Sequence, residues 1–177
     1  MDEVLNLENR RTIYDFISKH PGIHMREMER ELAMPPGLLS YHLDYMVKRD
    51  VLKVEGDGYR KYYFPADRYH MKDRRIISLL RQESYRKIII HILLQGPSSF
   101  HDLQDDLQVS KSTLSYHLKR LASHGLVVVS KQEKESIYRL QDEHCVADLL
   151  IALRPSLEKD AIERFSDIWD RLSEGRD

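Results

Sequence analysis

The chain has 177 residues, 32% charged and 41% hydrophobic, with a formal net charge of −1 and a single cysteine, Cys145. That length fits one or two domains, and one cysteine excludes an internal disulfide framework and any cysteine-based metal cluster. No apolar run approaches the ~20 residues that span a bilayer, and the opening MDEVLNLENRR lacks a signal peptide's apolar core. The chain therefore reads as soluble and cytoplasmic, without a membrane partner. Its near-neutral total hides an asymmetry, because residues 1–140 sum to +4 and residues 141–177 to −5.

From Leu7 to Lys19 the apolar residues Leu7, Ile13, Phe16 and Ile17 fall at helical spacing, and Pro21-Gly22 stops the segment. A short helix is expected over Met25–Leu32, with Met25, Met28 and Leu32 on one face. Met34-Pro35-Pro36-Gly37 makes a turn, and proline is well tolerated at the first helical position. The next helix runs from about Gly37 to Arg49, with Leu39, Leu43 and Met46 at i, i+4, i+7. Val51–Val54 and Tyr59–Phe64 then flank Glu55-Gly56-Asp57-Gly58 and read as a β-hairpin. Ala66–Glu83 carries Ile76, Ile77, Leu79 and Leu80 amid many arginines and lysines, and reads as a basic linker helix.

The order then repeats. Leu39-Ser40-Tyr41-His42-Leu43 recurs letter for letter as Leu114-Ser115-Tyr116-His117-Leu118, 75 residues later. The same shift pairs Arg11 with Arg86, Ile13 with Ile88, Ile17 with Ile92, Leu32 with Leu107, Val54 with Val129 and Tyr63 with Tyr138. One unit of about 55 residues thus occurs twice, and a repeat has to be found before a fold is assigned. In the second copy Ile88, Ile92 and Leu93 lie on the first helix, Gly96-Pro97 stops it, and His101–Leu107 forms the second. Val109-Ser110 is the turn; Ser110 is placed to cap a third helix over Lys111–Ser123, and Gly125 is a C-cap candidate. Leu126–Ser130 and Ser136–Leu140 are the strands.

Helix, helix, tight turn, helix, hairpin is the winged helix-turn-helix order. The expected fold is therefore mainly α with small β-hairpin wings (α+β): two tandem winged helix-turn-helix domains plus C-terminal helices. The expected boundaries are 1–65 for the first domain, 66–84 for the basic linker helix, 85–141 for the second domain and 142–177 for a C-terminal helical segment. In that segment Cys145-Val146, Leu149-Leu150 and Leu153 suggest one helix, and an apolar stripe from Leu157 to Leu172 another. The stripe has two readings, packing back on the second domain or pairing with its copy. The homodimer is preferred, because a two-fold assembly matches palindromic sites.

On the third helix of the second copy, advancing about 100° per residue returns Leu118 and Leu121 to within about 40° of Leu114, which makes a buried face. Ser112, Ser115, Tyr116 and Lys119 fall on the opposite half, with Thr113 and Arg120 at its margin. That half offers hydroxyls, a phenol and cations, and no carboxylate. Such groups bond phosphates and base edges, and a helix N-terminus with Lys111 beside its Ser110 cap favours an anion. For a lone helix a solvated face is the plainer explanation; within this unit, contact with double-stranded DNA is the stronger one.

The first copy is the weaker reader. Pro36, Gly37, Leu38, Asp44 and Tyr45 stand where the second has Lys111, Ser112, Thr113, Lys119 and Arg120, and only Ser40 and Tyr41 persist. Its hairpin is the better wing, with Lys53, Arg60 and Lys61 around a turn holding two glycines. The second hairpin has Lys131 and Lys134 at its tip, but also Glu133 and Glu135. Divided labour is expected, with the second copy reading through its helix and the first contributing wing contacts.

His42 and His117 sit at the edge of each core and read as structural histidines hydrogen-bonded across a helix pair. The other histidines lack ligand-type spacing, and Cys145 has nothing beside it to lower its pKa. Tyr59, Tyr62, Tyr63 and Tyr69 read as filling a hairpin rather than as a stacking platform for single strands. With no glycine-rich phosphate loop, nucleophile elbow or paired carboxylates, no enzyme, cofactor or metal is expected.

The run from Ser110 to Leu121, SKSTLSYHLKRL, closed by Gly125-Leu126-Val127, resembles the recognition-helix signature of ArsR/MarR-type winged-helix regulators. Leu38-Leu39-Ser40-Tyr41-His42-Leu43, with Val51-Leu52 before a basic wing, resembles the same pattern. Together, over roughly residues 7–140, they look like the archaeal regulators that carry two such domains in one chain. The resemblance implies a transcription regulator with the second domain's recognition helix in the major groove and basic wings on the backbone or minor groove. The partner it implies is duplex DNA; the second copy is expected from the terminal stripe, and the transcription machinery is a further expected partner. Two departures matter: Pro35-Pro36-Gly37 replaces a polar helix start, and the paired cysteines of metal-sensing ArsR proteins are missing, so metal sensing is not carried over. The competing expectation is a tandem winged-helix protein-interaction scaffold within a larger complex.

Overall fold

A computed structural model describes residues 4–5, 7–56, 60–132 and 135–157. In the first half α1 (Glu8–Lys19), β1 (Ile23–His24), α2 (Met25–Leu32), α3 (Pro36–Lys48), β2 (Leu52–Gly56) and β3 (Lys61–Pro65) follow one another, and α4 (Met71–Leu80) comes next. The second half runs α5 (Glu83–Gln95), β4 (Ser98–Ser99), α6 (Phe100–Leu107), α7 (Lys111–Ser123), β5 (Val127–Gln132) and β6 (Glu135–Leu140), and α8 (Glu143–Leu153) closes it. Contacts divide the described residues into two compact units. One holds those up to Ser78 together with Leu153–Leu157, the other Leu79–Ala152.

The 75-residue shift is carried into the backbone. It superposes the starts of α1 on α5, α2 on α6 and α3 on α7. It also relates the sheet registers: Ile23 faces Tyr63 as Ser98 faces Tyr138, and Leu52 faces Pro65 as Val127 faces Leu140. Both sheets are antiparallel and three-stranded, ordered β1-β3-β2 and β4-β6-β5. The third strand of each, β1 and β4, is absent from the sequence reading, because two residues are too few to show a period-2 pattern. Each turns a wing hairpin into a sheet that the helices can pack against.

The cores follow the periodicity. Ile13, Ile17, Met28, Leu39, Leu43 and Met46 are fully or almost fully buried together in the first unit, whereas Leu7 is half exposed and is the residue just before α1 rather than part of its core face. In the second unit Ile88, Ile92, Leu103, Leu114, Leu118 and Leu121 are buried. Burying each such aliphatic side chain contributes about 1.5–3 kcal/mol. Tyr62 and Tyr63 are buried in the first sheet, so they fill the hairpin and offer no ring to a single strand.

Turn geometry also repeats. Ala33 and Gln108 end α2 and α6 in the left-handed region, at φ 49° and 51°. A left-handed residue satisfies a helix C-terminus and reverses the chain sharply, which places α3 and α7 across the helices before them. After α3 and α7 the left-handed position is held by Asp50 (φ 59°) and Gly125 (φ 70°); aspartate is one of the few side chains that visit this region. Gly22 (φ 72°) is needed for space as well, since a Cβ there would lie 2.7 Å from Ile77 Cγ2.

α4 packs within the first unit up to Ser78. Arg74 Nε donates to Glu55 Oε1 of β2 at 3.1 Å, and its Nη1 donates to the Tyr69 carbonyl at 2.6 Å. The Arg74 and Glu55 side chains are only 12% and 18% exposed. α8 matches the helix expected around Cys145–Leu153, with Val146, Leu150 and Leu153 buried. Of the terminal stripe, Leu157 is buried, and the rest lies outside the described residues.

Candidate nucleic-acid interface

α7 begins with a knot of hydroxyls. Ser110 Oγ accepts the Thr113 backbone N–H at 3.2 Å and lies 3.0 Å from Ser112 Oγ and 2.8 Å from Thr113 Oγ1. The cap satisfies one of the amides that every helix start leaves unpaired. From there the two faces separate cleanly. Leu114, Leu118 and Leu121 are buried, while Lys111, Ser112, Thr113, Ser115, Tyr116 and Lys119 are exposed. Arg120 is half-buried, at the margin where the helical projection places it. The exposed face of this helix carries no carboxylate, and Tyr116 is 59% exposed.

α3 presents different chemistry from the same backbone. Pro35 occupies the N-cap position and makes no side-chain cap bond. Leu38 (40%) and Tyr41 (59%) are exposed, Ser40 is half-buried, and Asp44 is exposed at the position of Lys119. Tyr45, at the position of Arg120, receives the Arg10 guanidinium 3.7 Å above its ring and that of Arg49 at 5.4 Å. Two of the cations near this helix are therefore held against an aromatic face.

The wings differ too. Lys53 is half-buried and ion-paired to Asp50, so part of its charge is answered locally. Arg60 and Lys61 at the start of β3 are exposed. In the second wing Lys131 is exposed and stands across from Ser136 in the β5–β6 register. Lys134 and Glu133 lie outside the described residues, as does Tyr59.

The histidines of α3 and α7 depart from expectation. Neither ring nitrogen of His42 finds a hydrogen-bond partner, although the residue is buried, and Nδ1 of His117 is likewise buried and unpaired. The bond across a helix pair is replaced by ring packing. His117 meets Tyr85 of α5 edge-on at 4.7 Å and Tyr116 at 5.6 Å, and His42 meets Tyr41 at 5.2 Å. Desolvation pushes both imidazole pKa values down, with Arg10 adding to the effect at His42. Among the described residues no group of three or more His, Cys, Asp or Glu is placed to hold a metal, and no helix is long and apolar enough to cross a membrane.

Sequence reasoning missed three local features: the hydroxyl knot beyond its Ser110 cap, the unpaired imidazole nitrogens and the Arg10–Tyr45 stack. Ser110, Ser112 and Thr113 at spacings of two and three were a usable signal for the first. The others depend on packing between helices that no single periodicity reports.

Residues 7–77 match a family of N-terminal HTH domains, and residues 83–129 match the bacterial regulatory protein, arsR family. The chain is similar to the uncharacterized HTH-type transcriptional regulator MJ1398 of Methanocaldococcus jannaschii, at 30% identity over 141 residues. That match takes in 80% of this chain and 35% of the relative, so the chain spans about a third of that relative's length. Among solved structures, reduced HlyU from Vibrio cholerae is similar at 26% identity and a TM-score of 0.42, over 49% of this chain and 90% of that one. AbfR of Staphylococcus epidermidis is similar at 16% identity and the same TM-score of 0.42, over 85% of this chain and 95% of that one.

Proposed function

Because the chain is a tandem winged helix-turn-helix protein whose second domain matches the arsR family of regulatory proteins, we propose that it is a sequence-specific, double-stranded DNA-binding transcription regulator. The carrying observation is the exposed face of α7, with Lys111, Ser112, Thr113, Ser115, Tyr116 and Lys119 and no carboxylate. Hydroxyls and the phenol suit base edges and phosphates, and Lys119 suits guanine or the backbone. Ser110 holds the N-terminal amides in order, and those amides with Lys111 favour a phosphate. α7 is the major-groove reader. Arg60, Lys61 and, less strongly, Lys53 in the first wing supply backbone or minor-groove contacts, with Lys131 and Lys134 in the second and Arg120 at the helix margin. Ser40 and Tyr41 lend the first domain positioning contacts. The chain acts in the cytoplasm as a homodimer.

A second reading rests on α3. Leu38 and Tyr41 exposed beside Asp44 make an apolar and acidic face suited to a protein, as in a scaffold within a larger complex. A mobility-shift assay on genomic fragments, repeated at raised salt, separates the two. Fragment-specific binding that weakens steeply with salt supports the regulator. No binding even at low salt supports the scaffold.

A further inference from the structure

Tyr116 is the large apolar ring on the exposed face of α7, and more than half of it is open to solvent. Ser112 and Thr113 lie one turn before it and Lys119 and Arg120 one turn after, so hydroxyls and cations surround the ring. Behind it runs a row of aromatic contacts. His117 meets Tyr116 at 5.6 Å between centroids and 61° between planes, and the buried Tyr85 of α5 meets His117 at 4.7 Å and 75°. The row reaches from the core to the surface and limits how the Tyr116 ring can turn. In the first copy Arg10 stands at the position of Tyr85 and lies over Tyr45, so a cation replaces the innermost ring.

The side chains of α7 narrow what such a face can read. An A·T pair is recognised from adenine by the amide of Asn or Gln, or from thymine through its C5 methyl; a carboxylate reads cytosine, and Arg or Lys reads guanine. α7 holds no Asn, Gln, Asp or Glu along its length. Lys119 and Arg120 can serve guanine, and the hydroxyls bond more than one kind of base. The group left to single out an A·T pair is an apolar one against thymine, whose methyl is the one methyl group a base pair presents in the major groove. Thr113 carries a methyl too, but it stands at the margin of the face with its hydroxyl 2.8 Å from Ser110 Oγ.

From these we propose that Tyr116 is a specificity-determining residue that packs its ring on the C5 methyl of a thymine in the major groove. The ring makes the contact, and the phenol hydroxyl is not required for it. The assignment rests on the reading of α7 as the helix that enters the groove, and it adds which base Tyr116 selects and by which group.

The test uses the full chain and the duplex it selects from a random library, with affinity read by fluorescence anisotropy. Each thymine is replaced in turn by deoxyuridine, which keeps every hydrogen-bonding group and lacks only the methyl. Expected is a loss of about fourfold at one thymine, the worth of one buried methyl group. Tyr116→Ala should bind the thymine duplex more weakly and no longer distinguish it from the deoxyuridine duplex. Tyr116→Phe should bind and discriminate as the wild-type chain does. The first variant also separates the contact from any effect of the methyl on duplex shape, because a shape effect would persist in Tyr116→Ala. The proposal is overturned if no thymine is sensitive to the replacement, if the sensitivity survives Tyr116→Ala, or if it is lost in Tyr116→Phe. Duplex binding without deoxyuridine sensitivity overturns this assignment alone, whereas failure to select any duplex overturns the regulator reading and this assignment with it.

Discussion

Asp44 and Lys119 occupy the same exposed position on the same helix of two repeated units, with opposite charge. One would repel a phosphate backbone and the other attract it, at a place where everything buried beneath is alike. Leu39, Leu43 and Met46 under Asp44 correspond to Leu114, Leu118 and Leu121 under Lys119, and all are buried. The duplication preserved the scaffold and let the surface diverge.

Charge reversal at that position is therefore expected to act in one direction only. Lys119→Glu should weaken duplex binding by at least about tenfold and lower the slope of log affinity against log salt by roughly one. Affinity measured by fluorescence anisotropy across a salt series reads both. An unchanged affinity and slope would remove Lys119 from the interface.

Arg60→Glu with Lys61→Glu should also weaken binding, with a similar loss for every duplex sequence, because wing contacts to the backbone carry no base information. The same anisotropy series on specific and unrelated duplexes measures it. A loss confined to the specific duplex would make the first wing a base reader.

Ser110→Ala removes the acceptor of the Thr113 amide. Loss of an N-cap of this type costs about 1 kcal/mol, to be read as a lower urea midpoint, with a fall in DNA affinity because the hydroxyl knot loosens. Unaltered stability would mean that water satisfies the amide equally well.

Burial holds His42 and His117 neutral in the fold below their ordinary pKa of about 6.5. The unfolded chain takes up protons on these rings first, so stability is intact above that value and falls as pH drops through it. Chemical denaturation between about pH 7.5 and 5.5 should show this fall, and His42→Phe with His117→Phe should lessen it, leaving the share of His24, which burial also pushes down. An identical pH profile in the double variant would place the dependence elsewhere.

Gly22→Ala should destabilise the first unit by about 1–3 kcal/mol, since it combines a left-handed φ with a Cβ 2.7 Å from Ile77 Cγ2. Urea denaturation measures it, and a neutral result would mean that Ile77 yields without cost.

Much of this was legible because it is local. The 75-residue shift located both units, and three-four spacing of leucines fixed the buried faces of α3 and α7. Two-residue strands such as Ile23–His24 were not legible, since their pairing with Tyr62 and Tyr63 is decided forty residues away in the chain, on the order of a whole unit. The unpaired nitrogens of His42 and His117 escaped for a related reason. A histidine beside leucines looks the same in sequence whether a partner lies across the helix pair or only an aromatic ring does.

The unequal roles of the two helices are tested most directly by selecting preferred duplexes from a random library with the wild-type chain, Ser115→Ala and Ser40→Ala. The two substitutions are identical and stand at equivalent positions. The expected result is a changed preferred site for Ser115→Ala and an unchanged one for Ser40→Ala. An equal change from Ser40→Ala, or none from Ser115→Ala, would contradict the assignment of base reading to α7.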